Sequence, residues 1–213
     1  MVEFLVNARA DVNIMDAERM TPLHHACVHS AIFELELLIK AGADLNKVDS
    51  IGRTPLYISA SVNDFVGTEI LLKLGGMTAN KIDVNKSHRI NDNRTPFFIA
   101  CQKGHIDVVR VLHRFNANVY TPNNKGRSPM GAACHAGMYD VVEYLVKAKV
   151  DVNKTADNKN ATPLSIAANK GHTRIVALLL KHGAQVYYND SANPMYFACF
   201  QGHLDVVKLL LAH

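Results

Sequence analysis

Four cysteines and a scatter of histidines are the residues in this chain best suited to chemistry, and their spacing argues against it. Cys27, Cys101, Cys134 and Cys199 share no Cys-x-x-Cys spacing, so neither a disulfide framework nor a zinc knuckle is indicated. Cys134 precedes His135, but a catalytic nucleophile and its base normally come from distant parts of a chain, so a structural thiol is preferred. His25 and His29 lie four apart, a spacing compatible with one helix face and a shared metal. With no carboxylate between them and no third ligand, they read as a polar surface pair. Asn93-Arg94-Thr95 and Asn160-Ala161-Thr162 match a glycosylation triplet, yet the first residues lack the features of a signal peptide, so a structural role is expected for both. Asn suits a tight turn and Thr a helix cap. The chain has no Gly-rich phosphate loop, HExxH helix or nucleophile elbow. The expectation is a non-enzyme with no catalytic residue, no metal site and no cofactor.

The prolines supply the elements. Six of the seven follow a capping residue, in Thr21-Pro22, Thr54-Pro55, Thr95-Pro96, Ser128-Pro129, Thr162-Pro163 and Asn193-Pro194, at spacings of 33, 41, 33, 34 and 31. Thr, Ser and Asn are preferred N-caps and proline the preferred first helical residue, so each pair predicts a helix start. A break follows at Gly104-His105, Gly171-His172 and Gly202-His203; these histidines most simply serve the turn between helices. A second helix then opens, with an acid near its start at Asp107, Asp140 or Asp205, where the helix dipole favours it. Val108, Val109, Val111 and Leu112 recur at helical spacing. Gly42, Gly75 and Gly183 are expected to be left-handed stops, with Lys149 strained in the same place. A short Asp-x-Asn tail and a turn at Gly52, Asn93, Gly126 or Asn160 lead to the next capped proline. Each cysteine stands five residues after a proline, where Ala60 and Ala168 stand in the other two repeats. All four are therefore expected to be buried, unpaired thiols.

Thr21-Pro22-Leu23-His24-His25-Ala26, Ala41-Gly42-Ala43-Asp44-Leu45-Asn46 and Gly202-His203-Leu204-Asp205-Val206-Val207-Lys208-Leu209-Leu210-Leu211 resemble the ankyrin repeat, and the likeness extends over essentially the whole chain. It implies an all-α solenoid of stacked helix-turn-helix units joined by β-hairpin loops. The expected divisions of the single array are 1–15 (a partial repeat), 16–48, 49–89 with an insertion, 90–122, 123–156, 157–187 and 188–213 (incomplete). About eight extra residues fall between Gly75 and Arg94, mainly over 76–82, as a tolerated surface insertion or, less simply, a lip on the binding surface. Both ends fall inside a repeat without a polar cap, so a segment of a longer array is expected; a gene encoding these residues alone would refute it.

The 213 residues are 48% hydrophobic and 20% charged, with 23 Lys+Arg against 19 Asp+Glu for a net charge of +4. That excludes intrinsic disorder as the main description. The start, Met1-Val2-Glu3-Phe4-Leu5, lacks a signal peptide's basic flank, and no apolar run is long enough to span a bilayer. A cytoplasmic protein with reduced thiols is expected, the nucleus being compatible. The resemblance implies a protein-binding scaffold and nominates, on its concave face, Arg53, Arg94, Gln102, Lys103, Lys125, Arg127, His135, Lys159, Asn169, Lys170 and Phe200, with Met20, Val28, His29, Ser61, Val62, Asp92, Asp190 and Gln201 beside them. The central repeats in that set are basic, so the expected partner is a protein presenting an acidic segment. Two other readings stand beside it. One is a targeting module of a larger enzyme, channel or effector. The other is nucleic-acid binding through the basic stripe, against which the low net charge and the lack of interleaved aromatics count.

Overall fold

The computed structural model describes residues 10–78, 81–88, 92–158, 160–186 and 192–213. Among them are twelve α-helices: α1 (Pro22–Val28), α2 (Ile32–Lys40), α3 (Pro55–Ser61), α4 (Phe65–Gly75), α5 (Pro96–Lys103), α6 (Ile106–Arg114), α7 (Pro129–Ala136), α8 (Tyr139–Lys147), α9 (Pro163–Asn169), α10 (Thr173–Lys181), α11 (Pro194–Gln201) and α12 (Leu204–Leu211). Every odd-numbered helix starts at a predicted proline. Thr21, Thr54, Ser128, Thr162 and Asn193 cap them by accepting backbone N–H bonds from the first turn, and Thr95 accepts from Phe98. A cap of this kind contributes about 1 kcal/mol. These helices have only seven or eight residues, too few to hold alone, so packing must supply the rest.

Two compact units divide the chain: residues 1–100 with 107–118, and residues 101–106 with 119–213. In the first, α1 packs on α2 and α3, and α4 on α2 and α3. Leu23, Leu35, Leu38, Ile39, Leu56, Leu71, Phe97 and Leu112 are buried there. In the second, α7, α9 and α11 stack in one row and α8, α10 and α12 in another, enclosing Met130, Val141, Leu145, Leu164, Ile175 and Leu179. Each fully buried aliphatic side chain contributes roughly 1.5–3 kcal/mol.

Side-chain amides join successive repeats. Asn13, Asn46 and Asn85 each offer Oδ1 to a backbone N–H of the following tail, at Asp44, Asp83 and Asn118 respectively. In the second unit Asn153 does the same for Gln185. His24 is fully buried and joins its neighbour differently: Nδ1 accepts from the Thr21 N–H and Nε2 donates to the Arg53 carbonyl at 3.1 Å. Burial holds its pKa below the usual value. The loops are hairpin-shaped without being strands. Among the described residues the one β-bridge is isolated, between His88 and Arg94.

Second helices end as predicted in three of the places named and differently in one. Gly42, Lys149 and Gly183 all have positive φ (86°, 61° and 83°), and Asn116 joins them at 60°. Gly75 does not. It is the last residue of α4, which runs to eleven residues, and the following Gly76 is right-handed. Gly75 is small for packing instead, since a Cβ there would lie 2.7 Å from Leu45 Cδ1. A second correction concerns the thiols. Cys27, Cys101 and Cys134 are buried, but Cys199 is exposed. α11 and α12 are the last described helix pair and pack on α9 and α10.

Candidate functional site

The tips between repeats share one turn, and that turn positions the arginines preceding the capped prolines. In the first unit the Asp49 N–H donates to the Arg53 carbonyl at 3.0 Å, and Gly52, at φ 92°, donates to the Asp49 carbonyl. Asp49 Oδ1 accepts from the N–H groups of Ile51 and Arg53, at 3.1 and 2.8 Å. Its Oδ2 accepts from Arg53 Nε at 2.6 Å, so the buried carboxylate spends one oxygen on the turn and the other on the guanidinium. Arg94 is paired as well, with its Nη2 3.0 Å from Asp92 Oδ2.

The tip in the second unit copies the first with one atom changed. The Asn123 N–H donates to the Arg127 carbonyl at 3.0 Å, and Gly126 has φ 70°. Asn123 Oδ1 accepts from Lys125 and Arg127 N–H at 3.0 and 2.9 Å. Asn has no second carboxylate oxygen. Arg127 Nε is buried without a hydrogen-bond partner among the described residues.

Arg127 opens onto a groove of about 270 Å³ that it shares with His135, Asp157, Ala161, Ser165, Ile166, Asn169, Lys170, Ala192 and Phe197. α7 brings His135 there in its last turn, and α9 brings Asn169 and its C-cap Lys170. Burial holds the His135 pKa below its ordinary value, and the positive Arg127, Lys170 and His172 add to the effect. The counter-charge is Asp157, whose Oδ1 accepts from Ala161 N–H. The chemistry available is capture of a negative group by charge-assisted hydrogen bonds.

Of the residues nominated from sequence, Arg127, His135, Asn169 and Lys170 come together in this groove. Lys125 is exposed on the same tip, and Gln102 and Lys103 end α5, half-buried and exposed respectively. Arg53 and Arg94 lie on the tips of the first unit. Phe200 is exposed and stacks on Tyr196 at 6.0 Å. Met20 is buried in the core rather than displayed. Lys159 and Asp190 lie outside the described residues. Asp157, Ala161, Ser165, Ile166, Ala192 and Phe197 complete the groove without having been nominated; register with Asp49, six residues before a capped proline, could have pointed to Asp157, and nothing in the sequence pointed to the others. His25 gives its Nε2 to Asp16 at 2.7 Å rather than facing His29 as a ligand pair. Among the described residues, no three His, Cys, Asp or Glu side chains are grouped to hold a metal ion, and no helix is long and apolar enough to cross a membrane. A larger hollow, about 490 Å³, lies beneath the tails around Tyr120, Met130 and Lys154. There the Lys154 ammonium sits 4.2 Å from the Tyr120 ring centroid.

Comparison with known proteins supplies the wider context. The sequence profile described as "Ankyrin repeats (3 copies)" matches at residues 1–83, 77–156 and 149–213. The crystal structure of the human ASB11 ankyrin repeat domain superposes with a TM-score of 0.81 at 22% identity, covering 98% of this chain and 90% of that one. The likeness is one of fold: an all-α repeat solenoid.

Proposed function

The chain belongs to the ankyrin-repeat family, and from that membership we propose that it binds an acidic segment of another protein on the concave face of its repeats. Ankyrin repeats are in general protein–protein interaction modules. The finer reading rests on one observation: the groove of the second unit gathers Arg127, His135 and Lys170, with Arg127 Nε unpartnered. A buried donor without an acceptor costs about 1–3 kcal/mol, which an incoming anion would relieve. Arg53, Arg94, Gln102, Lys103, Lys125, Lys159, Asn169 and Phe200 extend the proposed contact surface. Free cysteines throughout suit the reducing cytoplasm as its setting.

The test is selection of peptides from a displayed proteome library, followed by affinity measurements on two charge-matched triple variants. Selected peptides are expected to be rich in Asp and Glu. Lys103→Glu/Arg127→Glu/Lys170→Glu should weaken them at least a hundredfold. Lys73→Glu/Lys147→Glu/Lys181→Glu, on second helices, should act only through long-range attraction that 0.5 M salt removes. Peptides without acidic enrichment, or equal losses from the two trios at high salt, would sink the proposal.

A further inference from the structure

The three arginines that stand two residues before a capped proline, Arg53, Arg94 and Arg127, differ in one respect. Arg53 and Arg94 are each held by an aspartate of their own tip. Arg127 is not, because the place of Asp49 is taken by Asn123. The substitution preserves every backbone bond of the turn, since Asn123 Oδ1 accepts the same two N–H groups that Asp49 Oδ1 accepts. What it removes is the second carboxylate oxygen, which in the first unit sits 2.6 Å from Arg53 Nε. The turn is thus built to hold an arginine whose internal counter-ion has been deleted.

We infer that Arg127, with Lys170 and His135, forms an anchoring subsite for a single carboxylate side chain of the bound partner, which supplies from outside the oxygen that Asp49 supplies to Arg53. The inference rests on the acidic-segment reading above and specifies which of its charges is recognised, and where. Charge count favours a carboxylate over a phosphate. Arg127 and Lys170 against Asp157 leave one net positive charge around the groove, which one monoanion neutralises. A guanidinium also presents Nε and a terminal nitrogen side by side, matching the two oxygens of a carboxylate. Neither Arg127 nor Lys170 forms an ion pair among the described residues.

An internal competitor provides the test. Asn123→Asp restores the Asp49 arrangement and should occupy the Arg127 guanidinium from within, leaving all cations in place. Asn124→Asp adds the same charge one residue away, at an exposed position. Hexaglutamate, acetylated and amidated at its ends, is titrated calorimetrically into the full chain and each variant. Asn123→Asp and Arg127→Gln are each expected to weaken binding at least tenfold, and Asn124→Asp less than threefold, with helicity by circular dichroism unchanged. Equal losses from Asn123→Asp and Asn124→Asp would reduce the subsite to bulk charge and overturn it, as would full affinity in Arg127→Gln. A hexapeptide carrying one phosphoserine that binds more tightly than hexaglutamate would overturn the carboxylate assignment. If selected acidic peptides bind and depend on Lys103/Arg127/Lys170 while Asn123→Asp is silent, the face reading survives and the subsite fails. If no acidic peptide is selected, the face reading fails by itself.

Discussion

Arg53 and Arg127 stand at the same place in two tips, one in each unit, on the same turn with the same pattern of backbone bonds. One is neutralised within its own repeat and the other is left with a buried, unpartnered donor. Cys27 and Cys199 differ in the same way: equivalent positions, one enclosed and the other exposed. So do Gly42 and Lys149, which hold one backbone conformation with and without a side chain to strain. A repeat protein copies its backbone and varies what each copy leaves unfinished. Where a copied place lacks its usual internal partner, the group there becomes available to something else, and such places are where function should be sought.

The largest contrast to test is that of the thiols. Cys199 should react with an aromatic disulfide reagent at least a hundred times faster than Cys27, Cys101 or Cys134 in the native protein, because those three need a local opening. Burial also raises the pKa of all three and withholds the thiolate. The expected record is one fast equivalent and three slow ones, with four free thiols after denaturation. Two or more fast equivalents would show that the enclosed copies are not enclosed.

The tips come next. Asp49→Ala removes the acceptor of two backbone N–H groups and of Arg53 Nε from a buried position, and should cost about 2–3 kcal/mol in urea unfolding. Asp49→Asn recreates the Asn123 turn and loses only the guanidinium bond, costing about 1 kcal/mol. If the two variants are equally damaging, Asn cannot do in the first unit what Asn123 does in the second, and the equivalence on which the comparison rests is broken.

Much of this was legible before any coordinates. Threonine or serine before proline marks helix starts because cap chemistry is local, and Lys149 could be placed in the left-handed region because its neighbours in register are glycines. The misreadings arose where a residue answers to something distant in sequence. Gly75 looks like a stop but is small because Leu45, thirty residues earlier, lies against it. Cys199 looks buried because its counterparts are, but it is exposed, since burial is set by neighbouring helices and not by a residue's own place in the repeat. The basic stripe was readable as composition along the repeats. That Arg53 is spent while Arg127 is not depends on a 2.6 Å contact, and that Ala192 and Phe197 close the groove depends on how α11 packs on α9.

A smaller effect is expected from acid. His135 is neutral in the free protein at neutral pH, its pKa held down by burial and then by Arg127, Lys170 and His172; Asp157 is the opposing charge on the groove. A bound carboxylate favours the charged imidazole and so raises that pKa. Binding then takes up a proton, and hexaglutamate affinity should rise as pH falls through the bound-state pKa, levelling off below the free-state one. A gain of a few-fold between pH 8 and pH 6 is expected. His135→Gln should flatten it. A slope that persists in that variant would assign the proton to another group.

The smallest effect separates backbone strain from side chain. Gly42, Lys149 and Gly183 each donate their N–H to the carbonyl three residues back, while the next N–H reaches five residues back, to Leu38, Leu145 and Leu179. This is the closed C-terminal turn that ends a helix on a left-handed residue. Lysine at φ 61° pays the Cβ cost that Gly42 and Gly183 avoid, roughly 1 kcal/mol. Glycine also loosens the unfolded chain, by a comparable or smaller amount. Lys149→Gly should therefore be neutral or stabilise by about 0.5–1 kcal/mol in urea unfolding. Lys149→Ala keeps the Cβ and the strain, and should match the wild type to within about 0.5 kcal/mol, because the exposed lysine stem contributes little beyond it. If Lys149→Gly lowers stability while Lys149→Ala does not, the left-handed turn is not limiting here, and Lys149 differs from its glycine counterparts for a reason other than backbone conformation.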